Sequence, residues 1–167
     1  GRFAASSLFE VARIELARGD SHAAESSLRR SLGMNPRHHQ AKHLLVVALV
    51  LQGEHEIAHR VAEEELSVDP FNAGVLFELS HALGGDSSTF DQRVQASLQT
   101  GLELASDYAA AGQFDRAAVV LERLSERSPA YAASPLVLYH LAFLYDALGD
   151  ADLALSVSYE AASMERS

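Results

Sequence analysis

The sequence lacks cysteine and tryptophan, and its 167 residues include four prolines and one lysine, Lys42. The missing cysteine excludes a disulfide framework and thiolate chemistry, and it leaves the redox compartment unspecified. With 13 basic against 23 acidic residues, the formal net charge is −10. That charge opposes binding to a phosphate backbone, so nucleic acid is not an expected partner.

Long hydrophobic runs are also missing. The longest, residues 44–51, has eight residues, whereas a membrane span needs about 20. No secretory signal precedes the first helical pattern, so we expect a soluble protein without membrane insertion, with the cytoplasm as its expected location. The chain begins without methionine and ends soon after a helical pattern, which favours a piece of a longer chain. Its Arg- and Ala-rich composition is typical of GC-rich bacterial coding.

What the sequence does contain is a repeat. A glycine is followed five residues later by an alanine and 12 residues after that by a proline. Successive copies are offset by 34, 59 and 37 residues, which indicates a period near 34 with one shortened copy and an insertion around residues 132–134. The markers are Gly19, Ala24 and Pro36, then Gly53, Ala58 and Pro70, then Gly112, Ala117 and Pro129, and finally Gly149 and Ala154.

Each marker has a physical role in a pair of antiparallel helices. The glycine ends the first helix in a left-handed conformation, and the acidic or polar residue after it starts the second. The alanine allows the two helices to approach closely, and the proline stops the second helix. Apolar residues recur at helical spacing between the markers, which predicts an all-α fold. The predicted helices cover residues 5–17, 21–33, 39–52, 55–67, 73–83, 88–111, 114–126, 135–147 and 151–163.

Four segments carry these markers in phase: LARGDSHAAESSLRRSLGMNP, LQGEHEIAHRVAEEELSVDP, YAAAGQFDRAAVVLERLSERSP and YDALGDADLALSVSYEAASME. They resemble units of the tetratricopeptide repeat (TPR) family. The resemblance implies a right-handed superhelical array of antiparallel helix pairs, a solenoid of about five repeats, over residues 1–167. The repeats would cover residues 5–38, 39–72, 73–97 (shortened), 98–131 and 135–167.

The shortened third repeat departs from the pattern. Its first helix ends early at Gly84 and Gly85, and a polar loop follows. An apolar stripe then continues from Phe90 to Ala109 without a stop signal, which favours one long helix over residues 88–111. The alternative is a short helix that breaks near residues 100–101. Either arrangement predicts irregular stacking over residues 84–101, where a neighbouring domain could dock.

Catalytic motifs are missing from the sequence. It contains no glycine-rich phosphate loop, no GxSxG and no HExxH, so we expect a protein that is not an enzyme and has no cofactor. The histidine pairs His39/His43 and His55/His59 have a chelating spacing, but two nitrogens make an incomplete site and no metal centre is predicted. The acidic run over residues 63–65 is interpreted as a solvated face, with a docking patch for a basic partner as the alternative.

The TPR resemblance also implies a concave binding face formed by the first helix of each pair. The side chains that the resemblance assigns to this face are mostly apolar and aromatic. They favour an apolar or amphipathic segment as the ligand. A second interpretation is that the aromatic members are inter-repeat core or are covered by a neighbouring domain. The implied positions are Phe9, Arg13, His43, Val47, Phe77, His81, Leu102, Tyr139, Phe143 and Asp146, together with Leu16, Gln40, Val50, Ser106 and Ala109.

Three functions follow as hypotheses. The first is a non-catalytic scaffold that binds a protein or peptide partner through the concave face. The second is an accessory segment of a larger bacterial enzyme, because LELASDYAAAGQFDRAAVVLERL and SPLVLYHLAFLYDALGD resemble TPR stretches of large bacterial proteins with carbohydrate-active domains. The third is self-association into a homo-oligomer through the open ends of the array, because repeat arrays need polar caps to stay monomeric.

Overall fold

The computed structural model describes residues 1–95 and 97–166, with the side chains of residues 2 and 95 left aside. Within those residues the regular structure is entirely helical, which confirms the all-α prediction. The chain divides into two compact units, Gly1–Phe90 and Asp91–Ser167. None of the described helices is long and apolar enough to cross a membrane.

The first unit is built from successive helix pairs. Helix α1 packs on α2, α2 on α3, α3 on α4 and α4 on α5, and α3 also contacts both α1 and α5. The first helices of neighbouring pairs therefore lie beside one another, as expected for stacked hairpins joined by short loops. The helices are α1 (Arg2–Ala17), α2 (Ser21–Met34), α3 (His39–Leu51), α4 (His55–Val68) and α5 (Ala73–His81), and α6 (Ser88–Gln95) crosses the boundary between the units.

The second unit contains two further pairs. Helix α7 packs on α8 and α10 on α11, while α8 contacts both the short α9 and α10. The short helix α9 follows Ser128 and starts at Pro129, so this proline ends one helix and begins the next, and the sequence pattern did not predict α9. The helices are α7 (Leu98–Ala110), α8 (Phe114–Arg127), α9 (Pro129–Ala132), α10 (Pro135–Ala147) and α11 (Ala151–Met164).

The ends of the paired helices follow the repeat markers. Asp20 caps α2 by accepting a hydrogen bond from Ala23 N–H over 3.0 Å, and Asp150 caps α11 in the same way through Leu153 N–H over 3.1 Å. The marker alanines are buried where the two helices of each pair meet. The marker glycines adopt the left-handed conformation that disfavours a side chain, with φ of 79° at Gly19, 79° at Gly53, 71° at Gly112 and 87° at Gly149.

The predicted single helix over residues 88–111 is wrong. Helix α6 ends at Gln95, and α7 begins at Leu98 with Ser97 as its N-cap. Ser97 has an extended backbone, and its side chain accepts a hydrogen bond from Thr100 N–H over 3.3 Å. The break therefore precedes residues 100–101, where the alternative had placed it. Residue 96 of that predicted helix and residue 167 of the predicted last repeat lie outside the described residues.

The acidic run over residues 63–65 is only partly a solvated face. Glu63 and Glu64 are exposed, but Glu65 is 3% exposed and lies in the core of the first unit. Its position on α4 turns it toward α3 and α5, whereas its two neighbours point away. The expectation of a fully solvated run is wrong at Glu65.

Candidate partner-binding groove

An open groove of about 440 Å³ lies between α7 and α10 in the second unit. Its α7 side is formed by small residues, and its α10 side by large apolar and aromatic ones. The small side chains of α7 leave a space next to α10. The aromatic side chains of α10 fill only part of that space, so a groove remains. The lining residues are Ala105, Ser106, Ala109, Leu136, Tyr139, His140, Phe143 and Leu144.

The large side chains of α10 leave apolar surface in contact with solvent. Leu136 is 52% exposed, Tyr139 is 39% exposed and Phe143 is 59% exposed. They lie on one face because their spacing of three and four residues returns to the same side of a helix. Exposed apolar groups clustered along a concave surface are typical of interaction sites.

Contacts within the unit hold the two aromatic side chains in place. The ring of Phe143 meets the ring of Phe114 edge to face, with the ring centres 6.3 Å apart. The hydroxyl of Tyr139 donates a hydrogen bond to Glu165 over 3.2 Å. Desolvation and this carboxylate raise the pKa of Tyr139, so its hydroxyl remains a donor. Both rings are therefore ordered before any ligand arrives, which reduces the entropy cost of binding.

The charges on the two helices that line the groove are acidic. Helix α7 carries Glu103 and Asp107, and α10 carries Asp146 beside the titratable His140. Neither helix contains a lysine or an arginine. These three carboxylates lie on the helices that form the groove but are not among the residues that line it.

Several residues that the TPR resemblance assigned to the binding face meet at this groove. Tyr139 and Phe143 line it, as do Ser106 and Ala109. Leu102 is partly exposed on α7, and Asp146 is exposed near the end of α10.

The corresponding residues of the first unit have a different environment. Phe9, His43, Val47 and Phe77 are buried in the core, so they present no surface to a partner. The ring of His43 packs on Gly74 so closely that a Cβ there would lie 2.4 Å from it. These four side chains are part of the core of the first unit.

Two further assigned residues, Arg13 and His81, lie near the surface of the first unit. Arg13 forms an ion pair with Glu10 at 2.9 Å, and its guanidinium lies over the ring of Phe9 at 5.8 Å. His81 is exposed and stacks on Phe77, with the ring centres 4.9 Å apart. Neither residue belongs to the groove of the second unit.

The sequence assignment missed Leu136 and His140. Both are related to Tyr139 and Phe143 by helical spacing, so the stripe over residues 136, 139, 140 and 143 was visible in the sequence. The positions implied by the TPR resemblance did not include these two residues. More positions of α10 line the groove than the family pattern assigns to the binding face.

A shallower depression of about 410 Å³ lies in the first unit. It is lined by His55, Glu56, His59, Ala82 and Leu83, and so includes one of the two predicted histidine pairs. His59 Nδ1 lies 3.5 Å from Glu63 Oε2, which engages this ring at the helix surface.

Comparison with known proteins agrees with this fold. The tetratricopeptide repeat family model matches residues 98–123 and 135–157, which cover α7 and α10, most of α8 and half of α11. The chain is built from helix pairs, and the two matched segments of its second unit are similar to tetratricopeptide repeats. No curated protein matches the sequence.

Two solved structures illustrate the similarity. A thermophilic TPR protein of Thermus thermophilus is 20% identical over 96% of this chain and 91% of its own, with a TM-score of 0.49. MamA from Desulfovibrio magneticus is 16% identical over 98% of this chain and 96% of its own, with a TM-score of 0.45.

Proposed function

We propose that the protein is a non-catalytic scaffold whose second unit binds a protein or peptide segment in the groove between α7 and α10. The observation that carries this proposal is the exposed apolar face of α10, where Tyr139 and Phe143 stand opposite the small residues of α7. Both matched TPR segments fall on the helices of this unit, and the TPR family is one of interaction modules.

The dimensions suit a short segment rather than a whole domain. Ligand pockets typically enclose about 300–1,000 Å³, and this groove of about 440 Å³ lies in the lower part of that range. Fully burying a large apolar side chain contributes about 1.5–3 kcal/mol, so covering the half-exposed Phe143 contributes roughly half of that. A few such anchors account for most of the energy of a typical interface.

The chemistry of the ligand follows from the lining. The apolar floor requires apolar side chains, and the formal net charge of −10 favours lysine or arginine elsewhere in the ligand. We therefore infer an amphipathic ligand with a few basic residues.

Selection of peptides from a random library on the full chain tests this function. The selected peptides should be apolar and basic, and Phe143→Ala should weaken their binding by at least about tenfold. Tyr159→Ala is the matched control, because Tyr159 is 66% exposed on α11 and lies outside the groove. If the selected peptides bind the Phe143 variant as tightly as they bind the unaltered chain, the proposal that they bind in the groove is wrong.

Self-association is a second candidate function. Helix α1 exposes Phe3, Val11 and Ile14, and α11 exposes Leu155 and Tyr159. Light scattering should then show a mass that rises with protein concentration and falls to that of a monomer in Leu155→Glu. A monomer of 18.0 kDa at every concentration would remove this candidate. The accessory role in a larger bacterial enzyme stays a prediction from the sequence.

A further inference from the structure

We propose that His39, Glu65 and Asp69 form a binding site for a divalent transition metal in the first unit. His39 begins α3, Glu65 lies in the last part of α4, and Asp69 is the C-cap of α4. The site is remote in sequence from the groove residues and does not depend on the proposed function.

The three ligand atoms are close enough to share one ion. His39 Nδ1 lies 2.6 Å from Glu65 Oε1 and 3.7 Å from Asp69 Oδ2, and all three atoms lie within 4.8 Å of one another. Metal–ligand bonds of about 2.0–2.2 Å in a tetrahedral site place neighbouring ligand atoms about 3.3–3.6 Å apart. The distance from His39 Nδ1 to Asp69 Oδ2 is already close to this value, whereas Glu65 Oε1 and His39 Nδ1 must separate by roughly 1 Å to admit the ion, which side-chain rotation can provide.

The two carboxylates are oriented by groups that do not compete for the ion. Asn72 Nδ2 donates a hydrogen bond to Glu65 Oε1 over 3.0 Å and another to His39 O over 3.2 Å. Asp69 Oδ1 accepts from Phe71 N–H over 3.1 Å, while its Oδ2 is the oxygen near His39. Outer partners of this kind fix the direction of metal ligands and commonly raise affinity.

Burial and charge also favour a cation here. Glu65 is almost completely buried, and a buried carboxylate is costly unless a positive charge or hydrogen bonds compensate it. A dication supplies that compensation and takes the place of the proton on His39 Nδ1. The ring of His39 is part-exposed, which gives the ion a route from solvent.

The ligand set indicates which ions fit. One imidazole nitrogen and two carboxylate oxygens suit Zn²⁺, Co²⁺ or Ni²⁺, with water in the remaining positions. Neither of the histidine pairs visible in the sequence contributes both of its members to this site, and only His39 belongs to it. His43 is buried against Gly74, and His55 and His59 line the separate depression described above.

Titration calorimetry of the full chain with Zn²⁺ near neutral pH tests the proposal. We expect one ion per chain and a higher unfolding temperature in the presence of the ion. Asp69→Asn preserves the acceptor for Phe71 N–H and removes one anionic ligand. It and His39→Gln should each weaken binding by at least about tenfold. The matched control is His55→Ala/His59→Ala, which should bind as the unaltered chain does.

Two outcomes would overturn this site. One is the lack of a binding heat for the unaltered chain. The other is binding that survives Asp69→Asn but is lost in the His55/His59 variant. Circular dichroism of each variant shows whether it is folded, and Asp69→Asn decides the question if His39→Gln does not fold. Visible absorption of bound Co²⁺ gives an independent readout, because its bands must change in the Asp69 variant.

Discussion

Aromatic residues that the sequence assigned to the same binding face differ in their exposure to solvent. Phe77 is 0% exposed and packs on Phe90 of α6, with the ring centres 5.4 Å apart, whereas Phe143 lines an open groove. Both occupy first helices of their pairs, so the repeat pattern assigned them alike. The difference depends on α6, which lies in the segment where the repeat is irregular and the sequence pattern predicted the wrong helix.

We predict that Phe77→Ala lowers the free energy of unfolding by about 3–5 kcal/mol, because it leaves a cavity in the core. Phe143→Ala should lower it by less than about 1 kcal/mol, since most of that ring already contacts solvent. Urea denaturation followed by circular dichroism measures both. Equal losses in the two variants would contradict the assignment of Phe77 to the core and Phe143 to the surface.

Helix ends were more predictable than helix continuity. The turns between paired helices carry their own chemistry in a glycine, an acidic residue and a proline, so local sequence was sufficient to predict them. The break between α6 and α7 lies within a continuous apolar stripe, and no glycine or proline marks it. Tyr131 of α9 stabilises this break, because its hydroxyl donates to Val94 O over 2.9 Å and to Ser97 O over 2.5 Å.

Tyr131→Phe should therefore destabilise the protein by about 1–2 kcal/mol, because two buried carbonyl groups lose their shared donor while the ring remains in place. Tyr159→Phe is the control with an exposed hydroxyl and should be neutral. Thermal and urea unfolding of the two variants provide the comparison. A neutral Tyr131→Phe would show that its hydroxyl does not hold the break.

The marker position after the glycine allows a test of capping. Asp150→Ala should cost about 1 kcal/mol, since Leu153 N–H loses its acceptor. Glu54→Ala is the matched control, because Glu54 occupies the same repeat position and makes no side-chain capping bond. Its cost should be smaller and limited to its interaction with the helix dipole. Comparable losses in urea unfolding would count against a capping role for Asp150.

On the scale of the whole molecule, the chain divides between Phe90 and Asp91, inside the segment over residues 84–101 for which the sequence predicted irregular stacking. The groove, the acidic helices around it and both TPR matches belong to the second unit. The TPR resemblance assigned Tyr139 and Phe143 to a concave binding face, and in the structure both residues line the groove. The sequence could not predict which aromatic residues of the first unit are buried, because burial depends on contacts between repeats.

The metal site lay beyond sequence reasoning for a related reason. Glu65 is 26 residues from His39, and the acidic run around it resembles an ordinary solvated face. Only the packing of α4 against α3 turns this one carboxylate inward. Helical spacing within a single element finds pairs of ligands, whereas a third ligand from another element requires the fold.

The most direct test of the binding groove is an NMR titration of the isotope-labelled full chain with a selected peptide. We predict that the largest amide shifts occur on α7 and α10, around Ala105, Ala109, Tyr139 and Phe143, and that Phe143→Ala needs at least about tenfold more peptide to reach the same shifts. Shifts of equal size in that variant at equal peptide concentrations, or shifts confined to the first unit or to α8 and α11, would contradict this prediction.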